Sequence, residues 1–244
     1  MVFIPISDDN PLRSIRFQWV TLGLVVVNVL VFLLEVFAGG GDDPAGVVSF
    51  ALVPSELFHL QGAGGVAVPI GLALRVPEWL TLITYQFLHG GVLHLLSNML
   101  FLWVFGDNVE DAMGHVKFLV FYLLCGVAGG LAHAAALPSS QFPLIGASGA
   151  VAGVIAAYLM LHPKVRVWVL VFRFLPLRVP AGWVLGIWVV TQFAMVVLAP
   201  ADGVAWWAHV GGLAAGAVLV LLMRRPGVPL FDRGLASPAA IERR

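Results

Sequence analysis

The chain has 244 residues, of which 60% are hydrophobic and 11% are charged, and its mean hydropathy is +0.98. Soluble domains carry about 25% charged residues, so this composition excludes a water-soluble globular enzyme. The 13 basic and 13 acidic residues balance, which excludes a nucleic-acid binder, because that class shows a basic excess. The single cysteine, Cys125, excludes an intrachain disulfide framework and a cysteine-based zinc cluster. The sequence predicts a polytopic membrane protein.

Six apolar segments are candidates for crossing a bilayer, whose core of about 30 Å takes about 20 helical residues. They predict an all-α membrane protein, a six-helix transmembrane bundle with helices at about 17–38, 91–108, 114–136, 148–162, 180–199 and 205–223. We expect residues 1–16 to form a short cytoplasmic N-terminal segment, 17–223 the membrane domain and 224–244 a short cytoplasmic tail.

The basic residues predict the orientation, because loops rich in Lys and Arg stay cytoplasmic. With both termini inside, 12 of the 13 basic residues are cytoplasmic, and Arg75 alone lies outside. Arg75 belongs to a long first extracytoplasmic loop at about 39–90, whose semi-apolar stretches are too broken to span. We expect these stretches to lie in the membrane interface, with Trp79 and Tyr85 at headgroup level. The expected location is the cell (inner) membrane.

The fourth segment is too short to span the bilayer. From Ser148 to the stop at His162-Pro163 it has about 15 residues, or roughly 22 Å. The preceding residues 137–147 carry no charge and two prolines, which indicates non-helical chain at membrane depth. Such backbone is tolerated where it is buried in protein or lines a wet cavity. The sequence therefore predicts a cavity open to the outer side, with Ser148 roughly 8 Å below that surface.

Three further polar residues lie at a similar depth. Helical rise places His209 of the sixth segment roughly 6 Å deep, and His94 and Asn98 of the second about 5 and 10 Å deep. Polar groups inside a bilayer are costly and are functional candidates by default. Ser148 and these three residues therefore predict one site.

Each of these residues also has a purely structural interpretation. Ser148, in the run Gly146-Ala147-Ser148-Gly149, is either a helix N-cap or a nucleophile beside free N–H groups that stabilise an oxyanion. His209 either bridges packed helices or acts as the base that activates the serine. His94 and Asn98 share one helix face and are either a packing pair or oxyanion donors.

Other features have weaker functional interpretations. We expect His89 to be an interfacial residue and His133, a rival base at similar depth, to serve in packing. Gly212 and Gly216 share the face of His209 and allow close approach to Gly149 of the fourth helix. The sequence lacks the H-E-x-x-H signature of zinc proteases, so no metal or other cofactor is expected.

The chain resembles the rhomboid family of intramembrane serine proteases. The matching motifs span about residues 50–223 in the family's order, and they are His94-x-x-x-Asn98, Gly146-Ala147-Ser148-Gly149 and Ala208-His209-x-x-Gly212-x-x-x-Gly216. The resemblance implies a six-helix core, a Ser–His dyad without a required third acid, and cleavage of transmembrane substrates near their outer ends. Ala152 stands one turn after the serine, where some members stack a tyrosine on the histidine.

The sequence and the resemblance predict a serine endopeptidase that acts through an acyl-enzyme. Ser148 attacks, His209 transfers the proton, and His94, Asn98 and the Ser148 amide bind the oxyanion; the supporting glycines are Gly146, Gly149, Gly212 and Gly216. The expected partners are single-span transmembrane substrates and the lipid bilayer, with no nucleic acid. The alternatives are a catalytically silent rhomboid-like chaperone or retrotranslocation factor, and a small transporter.

Overall fold

The structure, a computed structural model, describes residues 3–38, 49–58, 76–172, 174–198 and 203–231. Arg75 and most of the first loop lie outside these ranges. In chain order the described elements are β1 (Phe3–Asp8), α1 (Trp19–Ala38), α2 (Pro54–Leu57), α3 (Glu78–Thr84), α4 (Val92–Met113), α5 (His115–Ala136), α6 (Ser148–Leu161), β2 (Arg166–Val171), β3 (Leu175–Pro180), α7 (Ala181–Leu198) and α8 (Trp206–Met223).

Five of the described helices, α1, α4, α5, α7 and α8, are long and apolar enough to cross a membrane. The apolar α6, with 14 residues, is shorter. The predicted helical membrane bundle is confirmed, including its short fourth member. The helix bounds agree with the predicted ones within two residues, except that α4 continues to Met113 instead of ending near residue 108.

The extra turn of α4 contains charged residues that are satisfied inside the fold. Glu110 is fully buried, and its carboxylate accepts hydrogen bonds from the backbone N–H groups of Val20 and Thr21. The Asp111 carboxylate accepts three more from the backbone N–H groups of residues 13–15. Because the first N–H groups of a helix have no partner within it, Glu110 caps the beginning of α1. The charges therefore tie two segments together instead of ending the helix.

A three-stranded antiparallel sheet in the order β1-β2-β3 accompanies the helices, and the sequence analysis did not predict it. Phe3 pairs with Val171 at one edge of β2, and Val167 pairs with Val179 of β3. Two hydrogen bonds attach this sheet to the helices. Tyr158, near the C-terminal end of α6, donates to Asp8 of β1. Asn10, two residues after β1, donates to Asn108 near the C-terminal end of α4. We call this end of the bundle the sheet end, and the opposite end, where α4, α6 and α8 begin, the site end.

The short α6 lies in the middle of the bundle. Of its 14 residues 11 are buried, as expected of a helix that is hydrophobic all round. It packs against α4, α5 and α8. Its approach to α8 is close enough that a Cβ atom on Gly212 would collide with the carbonyl of Gly149, and one on Gly216 with that of Gly153. Small residues permit this backbone contact.

The segment before α6 is non-helical, as predicted from the sequence, and the described part of the first loop around Leu52 pairs with it. Leu52 and Leu144 exchange both backbone hydrogen bonds, at 3.1 and 2.8 Å. The expectation that Tyr85 lies at headgroup level is wrong, because Tyr85 is 1% exposed and its hydroxyl donates to the Gly126 carbonyl at 2.7 Å. Trp79, by contrast, is 68% exposed.

Candidate active site

Ser148 is the first residue of α6 and is half-buried. The N-cap position belongs to Ala147, and no side chain caps this helix. The interpretation of Ser148 as an N-cap therefore does not fit the structure. The backbone N–H groups of the first helical turn have no partner within a helix, and they lie beside the serine, where a developing negative charge would be stabilised.

Gly146 brings the chain before Ser148 against the two polar residues of α4. Its φ is +121°, a backbone conformation that side chains with a Cβ rarely adopt. A Cβ atom at this position would lie 2.7 Å from Cε1 and 2.8 Å from Nε2 of His94, and 3.9 Å from Nδ2 of Asn98. The imidazole of His94 and the amide of Asn98 thus both face the backbone two residues before the serine.

Asn98 presents an unused hydrogen-bond donor at this place. The residue is 6% exposed, and its buried Nδ2 has no hydrogen-bond partner among the described residues. Leaving a buried donor unsatisfied costs free energy, and a catalytic role is one explanation for such a group in a native structure. An oxyanion beside Gly146 is the kind of acceptor that this donor fits.

His89 contributes to this region more than the sequence analysis expected. It is 4% exposed, so it is a buried residue and not an interfacial one. Its ring packs edge-on against that of His94, with centroids 5.1 Å apart. Its backbone N–H points to the Glu35 carboxylate of α1 at 3.4 Å. His89 therefore supports the imidazole of His94.

The beginnings of α6 and α8 meet next to Ser148 and His209. A Cβ atom on Gly149, the neighbour of the serine, would lie 3.4 Å from the carbonyl oxygen of Ala208, the neighbour of the histidine. His209 itself is 8% exposed, inside the bundle. The rival base His133 lies in the last turn of α5 and is half-buried.

The His209 ring is held by residues that the sequence analysis did not select. Its Nδ1 lies 2.8 Å from Oε1 of Gln192, a buried residue of α7. The ring of Trp188 lies 6.1 Å away at an interplanar angle of 34°, and that of Trp206 packs edge-on at 5.7 Å. Gln192 could have been found by the rule that picked out the other site residues, since it is an amide in an otherwise apolar span.

None of the described residues form a group of three or more His, Cys, Asp or Glu side chains arranged to hold a metal ion. Cys125 is buried in the core, where it touches the α6 backbone at Gly153. The chemistry open to the described site is therefore that of a hydroxyl, imidazoles and amides.

A family model described as the Rhomboid domain matches residues 76–226. The chain belongs to the rhomboid family. The matched region contains every residue of the candidate site, from His94 to Gly216. Together with the apolar helices, family membership identifies an integral membrane protein.

Named relatives agree with this family. The chain is 33% identical to RHOMBOID-like protein 4 of Arabidopsis thaliana over 225 residues, which is 85% of this chain and 54% of the relative. It is 33% identical to Rhomboid protease GluP of Bacillus subtilis over 135 residues, 55% of this chain and 23% of that protein. It is 26% identical to RHOMBOID-like protein 1 of Arabidopsis thaliana, covering 92% of this chain and 59% of the relative. The chain thus spans about half, or less, of the length of these relatives.

Proposed function

We propose that this rhomboid is an active intramembrane serine endopeptidase that cleaves single-span transmembrane proteins. The observation that carries the proposal is the placement of four polar residues around the beginning of α6, at the site end. Ser148 opens α6, the α8 turn of His209 packs against it through Gly149 and Ala208, and His94 and Asn98 face the chain just before the serine. A relative named as a protease supports the same reaction class.

The proposed mechanism proceeds through an acyl-enzyme. The Ser148 hydroxyl attacks the carbonyl carbon of the scissile bond, and Nε2 of His209 takes the hydroxyl proton and passes it to the leaving amine. The Asn98 amide, the His94 imidazole and the Ser148 backbone N–H donate to the oxyanion, which they stabilise most strongly in the transition state. Water then hydrolyses the ester, with His209 again transferring the proton.

The proposed topology follows from the basic residues. Both termini and the sheet end face the cytoplasm, and the site end faces the outer side of the cell membrane, because that orientation keeps 12 of the 13 basic residues inside. Substrates are then cut near their outer membrane boundary. Relatives named as mitochondrial and chloroplastic proteins show that rhomboids also occur in organelles.

The test is cleavage of a panel of single-span substrates by the purified full chain in liposomes. We expect Ser148→Ala, His209→Ala and the double variant to lose similar amounts of activity, because groups that act as a unit are not additive. A fluorophosphonate probe should label the wild type and leave Ser148→Ala unlabelled. His133→Ala is the control and should keep most of the rate.

Three results would contradict the proposal. Cleavage by Ser148→Ala at the wild-type rate would show that Ser148 is not the nucleophile. Additive losses of activity would show that Ser148 and His209 do not act as a unit. A wild type that neither cleaves nor reacts with the probe, although it is folded, would favour the silent chaperone.

A further inference from the structure

Gln192 is the partner of the histidine on which the proposed mechanism depends. It lies on α7, is 3% exposed, and its Oε1 is 2.8 Å from Nδ1 of His209. On the basis of helical rise it sits roughly 9 Å from the end of α7, at the level of the proposed dyad. A buried amide is costly in a membrane unless it is hydrogen-bonded. The hydrogen bonds of Gln192 therefore determine which atom of its amide faces His209.

The orientation of the Gln192 amide is fixed by its second contact. Its Nε2 donates to the Trp188 carbonyl at 2.8 Å and to the Thr191 hydroxyl at 3.2 Å. A flipped amide would set Oε1 against the Trp188 carbonyl, and two acceptors cannot bond to each other. Oε1 therefore points to His209, and because Oε1 only accepts, Nδ1 must carry the proton.

We propose that Gln192 is a positioning residue that holds His209 in the tautomer with the proton on Nδ1. This inference rests on the proposed function, in which Nε2 must be unprotonated to accept the proton of Ser148. Neutral imidazole in water favours the opposite tautomer, with the proton on Nε2, which cannot act as the base at that atom. Gln192 thus orients the His209 imidazole, as the third residue of a catalytic triad does, without placing a charge in the membrane.

The ring plane of His209 is set by the same helix face. Trp188 precedes Gln192 by one turn, so both side chains lie on one side of α7. Trp188 packs against the cluster that contains Ala152 and Leu213, and its ring is tilted by 34° from that of His209. Because the Ala152 side chain is small, Trp188 can pack beside it. We infer that α7 supplies the support that a tyrosine after the serine provides in some rhomboids.

The first test compares Gln192→Leu with Gln192→Glu in the liposome assay. Leucine removes the acceptor, and we expect kcat to fall about tenfold with KM changed less than about twofold. Glutamate has the same shape and keeps an acceptor. At the pH of maximal activity of each variant, it should restore kcat to within about threefold of the wild type.

Asn28→Leu is the matched control. Asn28 is also a fully buried amide in an apolar helix, α1, and its Nδ2 donates to the carbonyl four residues earlier, as Gln192 does. It is not hydrogen-bonded to His209, so its substitution should leave kcat unchanged even if it lowers the melting temperature. Equal losses of kcat in Asn28→Leu and Gln192→Leu would show that α7 acts through stability alone, and would overturn the inference.

The second test does not need activity. Nitrogen-15 NMR of the histidine-labelled full chain in micelles, with the His209 signals assigned from a His209→Gln variant, reports which ring nitrogen is protonated. We expect a protonated Nδ1 in the wild type and a shift toward protonated Nε2 in Gln192→Leu. Protonated Nε2 in the wild type, or wild-type kcat in Gln192→Leu, would refute the role of Gln192. Failure of the proposed function would instead appear as a wild type that does not cleave, while the NMR result still decides on the hydrogen bond.

Discussion

Gly146 is the residue whose replacement tests the geometry of the site most directly. Its φ of +121° and its closeness to His94, 2.7 Å from the position of a Cβ atom, both exclude a side chain. In Gly146→Ala the methyl group must push the imidazole aside. In the proposed mechanism this removes one oxyanion donor, which is worth about 100-fold or more in kcat. We therefore expect kcat to fall by about this factor, measured on a single-span substrate.

Gly203→Ala is the control for Gly146→Ala, because it adds backbone strain without a steric collision. Gly203 also has a positive φ, +82°, but among the described residues a Cβ atom there would meet no atom within 4 Å apart from its own chain neighbours. This variant should lose some thermal stability and keep its kcat. If the two alanine variants had equal kcat values, the contact between Gly146 and His94 would have no part in catalysis.

The candidate residues found by counting along the sequence are those whose depth follows from helical rise alone. Each of these residues is within about seven residues of a predicted helix end, so a rise of 1.5 Å per residue is enough to show that they lie at a similar depth in the membrane. They are Ser148, His209, His94 and Asn98. Gln192, six residues before the end of α7, meets the same depth criterion, but its sequence position does not reveal its partner, His209, which is 17 residues away. The hydrogen bond of Tyr85 to Gly126, 41 residues away, was missed for the same reason.

At the level of elements, the proposed Ser148–His209 dyad requires close contact between α6 and α8. A Cβ atom on Gly212 would collide with the Gly149 carbonyl, which is backbone and cannot rotate away. Gly212→Ala must therefore separate the helices, at a cost of about 1–3 kcal/mol for overpacking. We expect a lower melting temperature and a large loss of kcat, measured on the same preparation.

Gly186→Ala on α7 is the control for this change. A Cβ atom on Gly186 meets nothing within 4 Å, so the variant should retain both its melting temperature and its activity. An active and stable Gly212→Ala would show that the two helices tolerate a wider spacing than the structure has.

The sheet is attached to α6 through a half-buried carboxylate that makes stability depend on pH. The Tyr158 hydroxyl donates to Asp8 Oδ2 at 2.5 Å, and burial raises the pKa of Asp8 from 3.8 to about 6. Because the folded-state pKa is the higher one, the protonated form favours folding. The contribution of Asp8 to stability is full below about pH 4 and is lost as the pH rises through about 6.

Asp8→Asn removes the charge and keeps an oxygen that accepts from Tyr158. We expect this variant to melt at a higher temperature than the wild type near pH 8, and the difference to shrink as the pH falls toward about 4. Asp9→Asn is the control, since it removes an ion pair with Arg178 and should not raise the melting temperature. A constant difference between Asp8→Asn and the wild type across this pH range would contradict the assignment.

The sequence predicted neither the sheet nor the last turn of α4, and the two omissions have related physical causes. Hydropathy identifies segments that match the bilayer, whereas β1, β2 and β3 have six residues each and lie between or before such segments. Glu110 reads as a helix-ending charge until its partners, the N–H groups of Val20 and Thr21, are known. Long apolar helices follow from local composition, whereas the position of β1 and the cap that Glu110 forms on α1 follow from contacts 89 or more residues apart.

For the whole molecule, the position of the site along the bundle determines which substrate bonds can be cut. In the proposed topology, helical rise puts Ser148 and His209 roughly 6–8 Å below the membrane surface at the site end, and this surface is the outer one because the basic residues favour the cytoplasm. A peptide bond within a transmembrane helix is shielded by hydrogen bonds and by side chains one turn away. The substrate must therefore unwind locally before its carbonyl can reach Ser148.

Helix-breaking residues lower the cost of that unwinding, by about 1 kcal/mol for Gly and about 3 kcal/mol for Pro relative to Ala. We expect a Gly-Pro pair within two turns of the outer boundary of a single-span substrate to raise the cleavage rate, and replacement of native breakers there by Leu to lower it. The same pair at the cytoplasmic end is the control and should have no effect. Mass spectrometry of the fragments locates the cut, which we expect at or beside a small residue near the outer boundary. Cleavage at the cytoplasmic end would reverse the proposed orientation, and rates indifferent to both placements would show that unwinding does not limit the reaction.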